Sequence, residues 1–305
     1  MQSRETTGVA AEPHWHVLGA GAIGCLFAAG LARGGSDVTL LLRDSGGSGQ
    51  VIIEDARGNS ELTLPVVQTG HCAAISHLLV TTKAYDVGAA LAACAGDITD
   101  GADVLLLVNG MGLAGPLQKQ YPQLRFFLGT TTEGAHRLGP RHVRHAGRGH
   151  TRIGRPGQVE APAWFGQFAR GPGRCHWDTD IDSALWEKLA VNAVINPLTA
   201  VHRCRNGALA EHAQLREAVA ALCREVTQVS YAAGYTDTAQ TIEDKVQQVI
   251  RATAANRSSM LQDVAHGRAT EIDHITGYLL RVAREHGIPA RHHQALFDEV
   301  TALAP

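Results

Sequence analysis

The chain has 305 residues and a mass of 32.4 kDa, with 45% hydrophobic and 18% charged residues and a formal net charge of -2. That length suits two domains better than one core, and the charge leaves no basic excess for nucleic acid or an acidic membrane surface. No apolar run approaches the ~20 residues of a membrane helix, and six scattered cysteines without a CxxC pair or zinc spacing fit a reducing cytoplasm.

Residues 1–13, MQSRETTGVAAEP, are polar and lack the apolar centre of a signal peptide, so they read as a disordered leader. Residues 16–18 read as a strand entering a glycine turn, 22–33 as a helix and 37–43 as a second strand. The Gly/Ser-rich stretch 44–49 reads as a loop and 61–67 as a strand. Continuous apolar runs at 77–82 and 102–108 have strand length, as in a parallel sheet covered on both faces. This alternation predicts a doubly wound α/β domain over 14–180. Within it, 125–154 changes to short β runs with many glycines, predicted as antiparallel strands at the sheet edge. Beyond residue 180 no strand pattern recurs. Helices predicted over 185–201, 207–233, 238–255 and 270–286, with Gly287-Ile288-Pro289 as a stop, make 181–305 an all-α domain. Amphipathic helices of this length permit a homodimer without requiring one.

The turn after the first strand reads Gly19-Ala20-Gly21-Ala22-Ile23-Gly24. With a strand before it and a helix after it, this GxGxxG pattern predicts a Rossmann-type dinucleotide site, with a pyrophosphate facing the helix N-terminus. A cofactor with a free 2′-hydroxyl is usually held at the end of the second strand by Asp or Glu. Arg43 stands there instead, so NADP(H) is preferred to NAD(H), with Lys83 as a second cation. Arg43 followed by Asp44 also suits a solvated strand end. The strand at 102–108 delivers Asn109 to the carboxyl edge of the sheet, where ligands bind in open α/β folds. Asn109-Gly110 is equally good turn chemistry.

The segment 185–200, LWEKLAVNAVINPLTA, puts a lysine and two asparagines into an apolar run. Lys188, Asn192 and Asn196 are spaced four apart and form one slowly drifting stripe on a helix that must be largely buried. Buried polar groups need partners. Those partners are either a carboxylate elsewhere in the fold or a substrate. Pro197 predicts a kink or an end to the helix beside Asn196. Further on, Ser258 and Ser259 suit capping or turn bonding, and Thr270-Glu271 opens an amphipathic helix whose N-terminus favours the carboxylate. His136, His142, His145 and His150 fall among five arginines, at spacings that suit no zinc ligand set, and read as a solvated strand face.

Taken in order, GAGAIG, TTKAYD, VNGMG, GTTTEGA, LWEKLAVNAVINPLTA, RNGAL, SSMLQD and TEIDHITG resemble the ketopantoate reductase family (2-dehydropantoate 2-reductases) over essentially the whole chain after the leader. The resemblance implies an NADPH-dependent enzyme that reduces a small 2-oxo acid, 2-dehydropantoate, to (R)-pantoate in pantothenate and coenzyme A biosynthesis. It implies that Gly19, Ala20, Gly21, Ala22, Ile23 and Gly24 hold the pyrophosphate, with Arg43 and Lys83 near the 2′-phosphate and Ala135 lining the cofactor site. It implies that Lys188 is the proton donor and that Glu271 serves catalysis from the nicotinamide ribose. Asn109 would sit between cofactor and substrate. Asn192, Asn196, Asn206 and Ser259 match substrate-binding positions. Asp86 and Glu133 depart from what many relatives carry. A reductase of another branched or aromatic 2-oxo acid, such as a mandelate-type dehydrogenase, and a non-catalytic NADPH sensor are the competing expectations.

Overall fold

β1 (Trp15–Leu18) runs through the middle of an eight-stranded sheet, and its side chains are buried on both faces. The computed structural model describes residues 13–44 and 48–303. Residues 1–12 of the expected leader at 1–13, and 45–47 of the predicted loop at 44–49, lie outside the described residues. After β1 come α1 (Ala22–Arg33), β2 (Val38–Leu42), β3 (Gln50–Asp55), β4 (Gly58–Thr63), β5 (Val66–Gln68) and β6 (Ile75–Val80). Then follow α2 (Val87–Cys94), β7 (Ile98–Leu106), α3 (Ala114–Gln120), β8 (Arg125–Thr131), β9 (Gly134–Gly139), β10 (His142–Gly147), β11 (His150–Gly154), α4 (Phe165–Ala169) and β12 (Arg174–Trp177).

The large sheet has the order β12-β11-β8-β7-β6-β1-β2-β5. From β5 to β8 every pairing is parallel, and β11 joins β8 antiparallel. The chain moves outward from β1 through β2 and then returns to lay β6 on the other side of β1. That reversal opens a crevice at the carboxyl ends of β1 and β6. One sheet face carries α1 and an aromatic core, in which Trp15 and Trp164 meet edge to face at 5.2 Å. The other face packs against α2 and α3 through Leu78, Val80, Leu91 and Phe126. Both buried indoles are satisfied: Trp15 Nε1 donates to Gln167 and Trp164 Nε1 to Asp103, each at 2.7 Å.

Two predictions in this half need correction. The strand expected at 61–67 is two strands in different sheets, because Pro65 offers no N–H to continue a ladder. The Pro65 carbonyl accepts from Leu40 N at 2.9 Å, which starts β5 along β2. Nor do the short strands of 125–154 all sit at the sheet edge. β8 is internal, parallel to β7 and antiparallel to β11, and β9 and β10 leave to form a second sheet with β3 and β4, in the order β4-β3-β10-β9, packed on α1.

The helical half holds α5 (Ile181–Val201), α6 (Ala208–Glu211), α7 (Ala213–Ala232), α8 (Thr236–Ala252), α9 (Ser259–Ala265), α10 (Ile272–Glu285) and α11 (Arg291–Leu303). Asp180 caps α5 by accepting from Ser183 N. α5 is the axis of this half, with α7, α8, α9, α10 and α11 packed around it. Trp186 lies flat against Tyr235 at 4.6 Å and donates its Nε1 to Ser230 at 2.9 Å. α5 does not end at Pro197 but runs on to Val201. The one N–H that proline removes leaves the rest of the last turn intact, and the Thr199 hydroxyl bonds the Ile195 and Asn196 carbonyls there at 3.0 Å. The helix predicted over 207–233 is broken at His212, whose backbone is extended, and α11 follows the predicted stop as a further helix. No helix among the described residues is long and apolar enough to cross a membrane.

Candidate active site

The crevice at β1 and β6 widens into a cleft of about 720 Å³ between the sheet half and the helical half. Its floor is the glycine turn. Gly19 has φ +108°, and a Cβ there would stand 2.8 Å from Thr82 N. A Cβ on Gly24 would meet the Gly19 carbonyl oxygen and the Thr81 hydroxyl well inside contact distance, so only glycine lets α1 start this close to the turn. Gly21, between them, faces open space. No side chain caps α1, so its first-turn amides keep their hydrogen-bonding capacity. An uncapped helix start beneath an open glycine, in a cleft of this volume, fits the pyrophosphate of a dinucleotide.

Arg43 lines one end of the cleft and pairs with Asp86 at 3.0 Å, while 74% of its side chain stays exposed. Lys83, expected beside it, also lines the cleft, but its ammonium is directed to the helical half. There it meets Asp263 at 2.5 Å and Glu271 at 3.5 Å. Burial works against the Lys83 charge, yet Glu271 and Asp263 together hold its pKa above the ordinary value. Asp263 is held in turn by Arg268 at 3.1 Å. The sequence reading missed Asp263, and the only signal for it was its place in the SSMLQD motif.

Glu271 is the hub of the site. It stands just before α10, but its carboxylate is not spent on the start of its own helix. Oε1 accepts from Ala84 N at 3.0 Å, and Oε2 accepts from Asn109 Nδ2 at 3.1 Å. Thus one buried carboxylate, 4% exposed, ties together the ends of β6, β7 and the helical half. Asn109 does more than shape a turn, because its side-chain amide is part of this junction.

Lys188 projects from α5 into the cleft and is half-buried. Its Nζ donates to the Thr131 carbonyl, at the end of β8, at 2.8 Å. No carboxylate among the described residues comes within ion-pair distance of it. An ammonium carries three N–H donors. One is spent on Thr131, and no other described residue takes the remaining two. Burial pulls the Lys188 pKa from 10.5 down to about 8, against the charge of Glu271, which raises it. A cation that is poorly solvated, aimed into a cleft and close to neutrality in pKa is equipped to stabilise a developing oxyanion and to give it a proton.

Ala135, expected at the cofactor site, and Ser259, expected at the substrate, line the cleft, whereas the expected substrate contacts Asn192, Asn196 and Asn206 do not. Each step of four residues turns a helix by about 40° beyond a full circle. Asn192, half-buried, is therefore rotated partly away from Lys188, and Asn196 is carried into the core at 7% exposure. Asn206 is also buried, with its Nδ2 donating to Thr253 at 2.8 Å. The two serines divide their work. Ser258 caps α9 by accepting from Leu261 N and receives the Thr199 hydroxyl at 2.7 Å, whereas Ser259 is exposed toward the cleft. Glu133 is turned from the cleft into a buried pair with His145 at 2.5 Å.

Among the described residues no group of three His, Cys, Asp or Glu side chains is placed to hold a metal ion. His142 and Arg144 share Glu54 on the small sheet, whereas His145, expected on the same solvated face, is buried against Glu133. Arg137 and Arg141 differ, because both line the cleft. The sequence reading assigned them to the solvated face.

Residues 15–158 match the family profile described as ketopantoate reductase PanE/ApbA, and residues 180–304 match its C-terminal counterpart. The 2-dehydropantoate 2-reductase of Vibrio cholerae is 36% identical over 289 residues, covering 94% of this chain and 96% of that protein. That of Salmonella typhimurium is 39% identical, with 93% of each chain covered. Among solved structures, a ketopantoate reductase from Ralstonia eutropha superposes with a TM-score of 0.84 at 25% identity, over 95% of this chain and 98% of that one. D-mandelate dehydrogenase, solved with NADH and anilino(oxo)acetate, reaches the same TM-score at 22% identity, over 95% and 98% of the two chains, a likeness of fold alone.

Proposed function

This chain belongs to the ketopantoate reductase family, and from that premise we propose that its cleft reduces 2-dehydropantoate to (R)-pantoate with NADPH and with Lys188 as proton donor. The observation that carries the proposal is the Lys188 amine, held by one carbonyl and otherwise unpartnered among the described residues, at the meeting point of both halves. Bound NADPH supplies the hydride that goes to the substrate's carbonyl carbon. The chain does the rest. Its glycine turn and the start of α1 bind the pyrophosphate. Glu271 receives the nicotinamide ribose hydroxyls and, through Asn109, fixes the wall beside the reacting carbon. Lys188 faces the carbonyl oxygen, steadies its growing negative charge and then protonates it. Ser259, exposed toward the cleft, takes the substrate carboxylate. This reading treats 14–180 as the cofactor domain and 181–305 as the catalytic domain. Six free cysteines support a cytoplasmic location.

NADPH oxidation with a panel of 2-oxo acids tests the reading. Turnover fastest with 2-dehydropantoate is expected. A faster aromatic 2-oxo acid would move the substrate to the mandelate type, and no turnover with any acid would leave a cofactor-binding protein. Cofactor choice has its own test. Arg43→Ala should weaken NADPH by about tenfold or more, since a charge-assisted contact to phosphate contributes roughly 1.5–3 kcal/mol, while NADH affinity stays as it was. Equal losses for both cofactors would remove Arg43 from 2′-phosphate recognition.

A further inference from the structure

We propose that Arg141, with Arg137 beside it, forms a second phosphate-binding arm, reaching from the small sheet over the cleft to grip the pyrophosphate of the bound dinucleotide. This rests on the reading of the cleft as a nicotinamide-dinucleotide site and adds two residues to it.

Pro140 and Arg141 form the two-residue turn between β9 and β10, and Arg137, Pro140 and Arg141 all line the cleft. Arg141 has φ +52°, the left-handed region that glycine or asparagine occupies without strain. The turn is fastened in that conformation by Ile52 N, which donates to the Arg141 carbonyl at 2.9 Å. A strained turn carrying a long cation is retained at a ligand site more readily than on a plain surface. The Arg141 side chain is also unsatisfied, because its Nε is buried and has no hydrogen-bond partner. Among the described residues, no carboxylate pairs with Arg141 or with Arg137, whose Nε donates to the Gly139 carbonyl at 3.0 Å. Neighbouring arginines behave differently: Arg125, Arg144 and Arg152 each pair with an acid, Asp103, Glu54 and Asp178 respectively.

A buried guanidinium N–H without an acceptor is costly unless an anion completes it, and the planar fork of arginine suits two phosphate oxygens. The small sheet packs on α1 through β3, β9 and β10, the two strands that the arm joins included. Consistent with this, burial pushes the Cys25 thiol in α1 up to about 11 while Arg141 and Arg137 pull it the other way. The arm therefore faces the pyrophosphate position at the glycine turn, and Arg43 keeps the other end of the cleft.

Titration of NADPH and of NADH by cofactor fluorescence separates the possibilities. Arg141→Ala is expected to weaken both by about tenfold, because both carry the pyrophosphate, and Arg137→Ala to weaken both less. Arg141→Gly removes the side chain and relaxes the turn, so it should bind as poorly as Arg141→Ala while melting no lower than the parent. Unchanged affinity in a variant that melts like the parent overturns the proposal. A loss confined to NADPH overturns the pyrophosphate assignment and transfers the arm to the 2′-phosphate. A parent that binds neither cofactor overturns the cofactor reading itself.

Discussion

Lys188→Ala is expected to lower kcat for 2-dehydropantoate by roughly 10²–10⁴, the usual span for losing a positioned general acid, with NADPH affinity little changed. The reason is geometric: Lys188 meets Thr131 with one donor and directs the others into the cleft. Lys188→Arg separates its two tasks. Guanidinium keeps the charge but does not release a proton near neutral pH, so this variant should retain binding and still turn over slowly. The pH profile gives an independent measure. A lysine with a pKa of about 8 is protonated below that value, so kcat should be level in the acid range and fall as pH rises through about 8. Stability moves in the opposite direction. The folded chain releases this proton near 8 and the unfolded chain near 10.5, so between them the unfolded state holds more protons and stability rises with pH. In Lys188→Ala that rise should disappear. Wild-type turnover in the variant, or a profile without the limb near 8, removes Lys188 from the chemistry.

Glu271→Ala should be the most destabilising single change in the site, by about 2–4 kcal/mol, because it strips a buried acceptor from several donors at once. Ala84 N and Asn109 Nδ2 lose their partner outright, and Lys83 keeps only Asp263. Chemical denaturation reads the loss. Glu271→Gln isolates the charge, since the amide fills the same space. It should destabilise less, and it should shift the alkaline limb of kcat to lower pH, because the Glu271 charge opposes the desolvation of Lys188. If the limb stays in place in Glu271→Gln, the two groups are not coupled and Glu271 only joins the two halves. A melting temperature unchanged in Glu271→Ala would mean that the junction holds without its hub.

What was legible in the amino-acid order has short-range causes. The glycine turn announces itself because three glycines fall within six residues between a strand and a helix, and in the fold Gly19 and Gly24 stand where a Cβ would collide while Gly21 faces open space. The apolar strands and the polar stripe of α5 follow from periods of two and 3.6, which need only neighbours within a turn or two. Pro65 and Pro197 show the edge of that reasoning. Both remove an N–H, but one divides a strand between two sheets and the other is absorbed within a helix, a difference made by what lies alongside.

Tertiary packing alone decided which charge meets which partner. Glu271 reaches Ala84 across 187 residues of chain, Lys83 reaches Asp263 across 180, and Lys188 finds a carbonyl 57 residues away. No local pattern encodes such pairs, because Coulomb and hydrogen-bond energies depend on distances that exist only once the two halves are packed. The same holds for Arg141, which looks like surface in the sequence and stands over the cleft in the fold. Its chemistry was written in one residue type, and its position came from the second sheet folding onto α1.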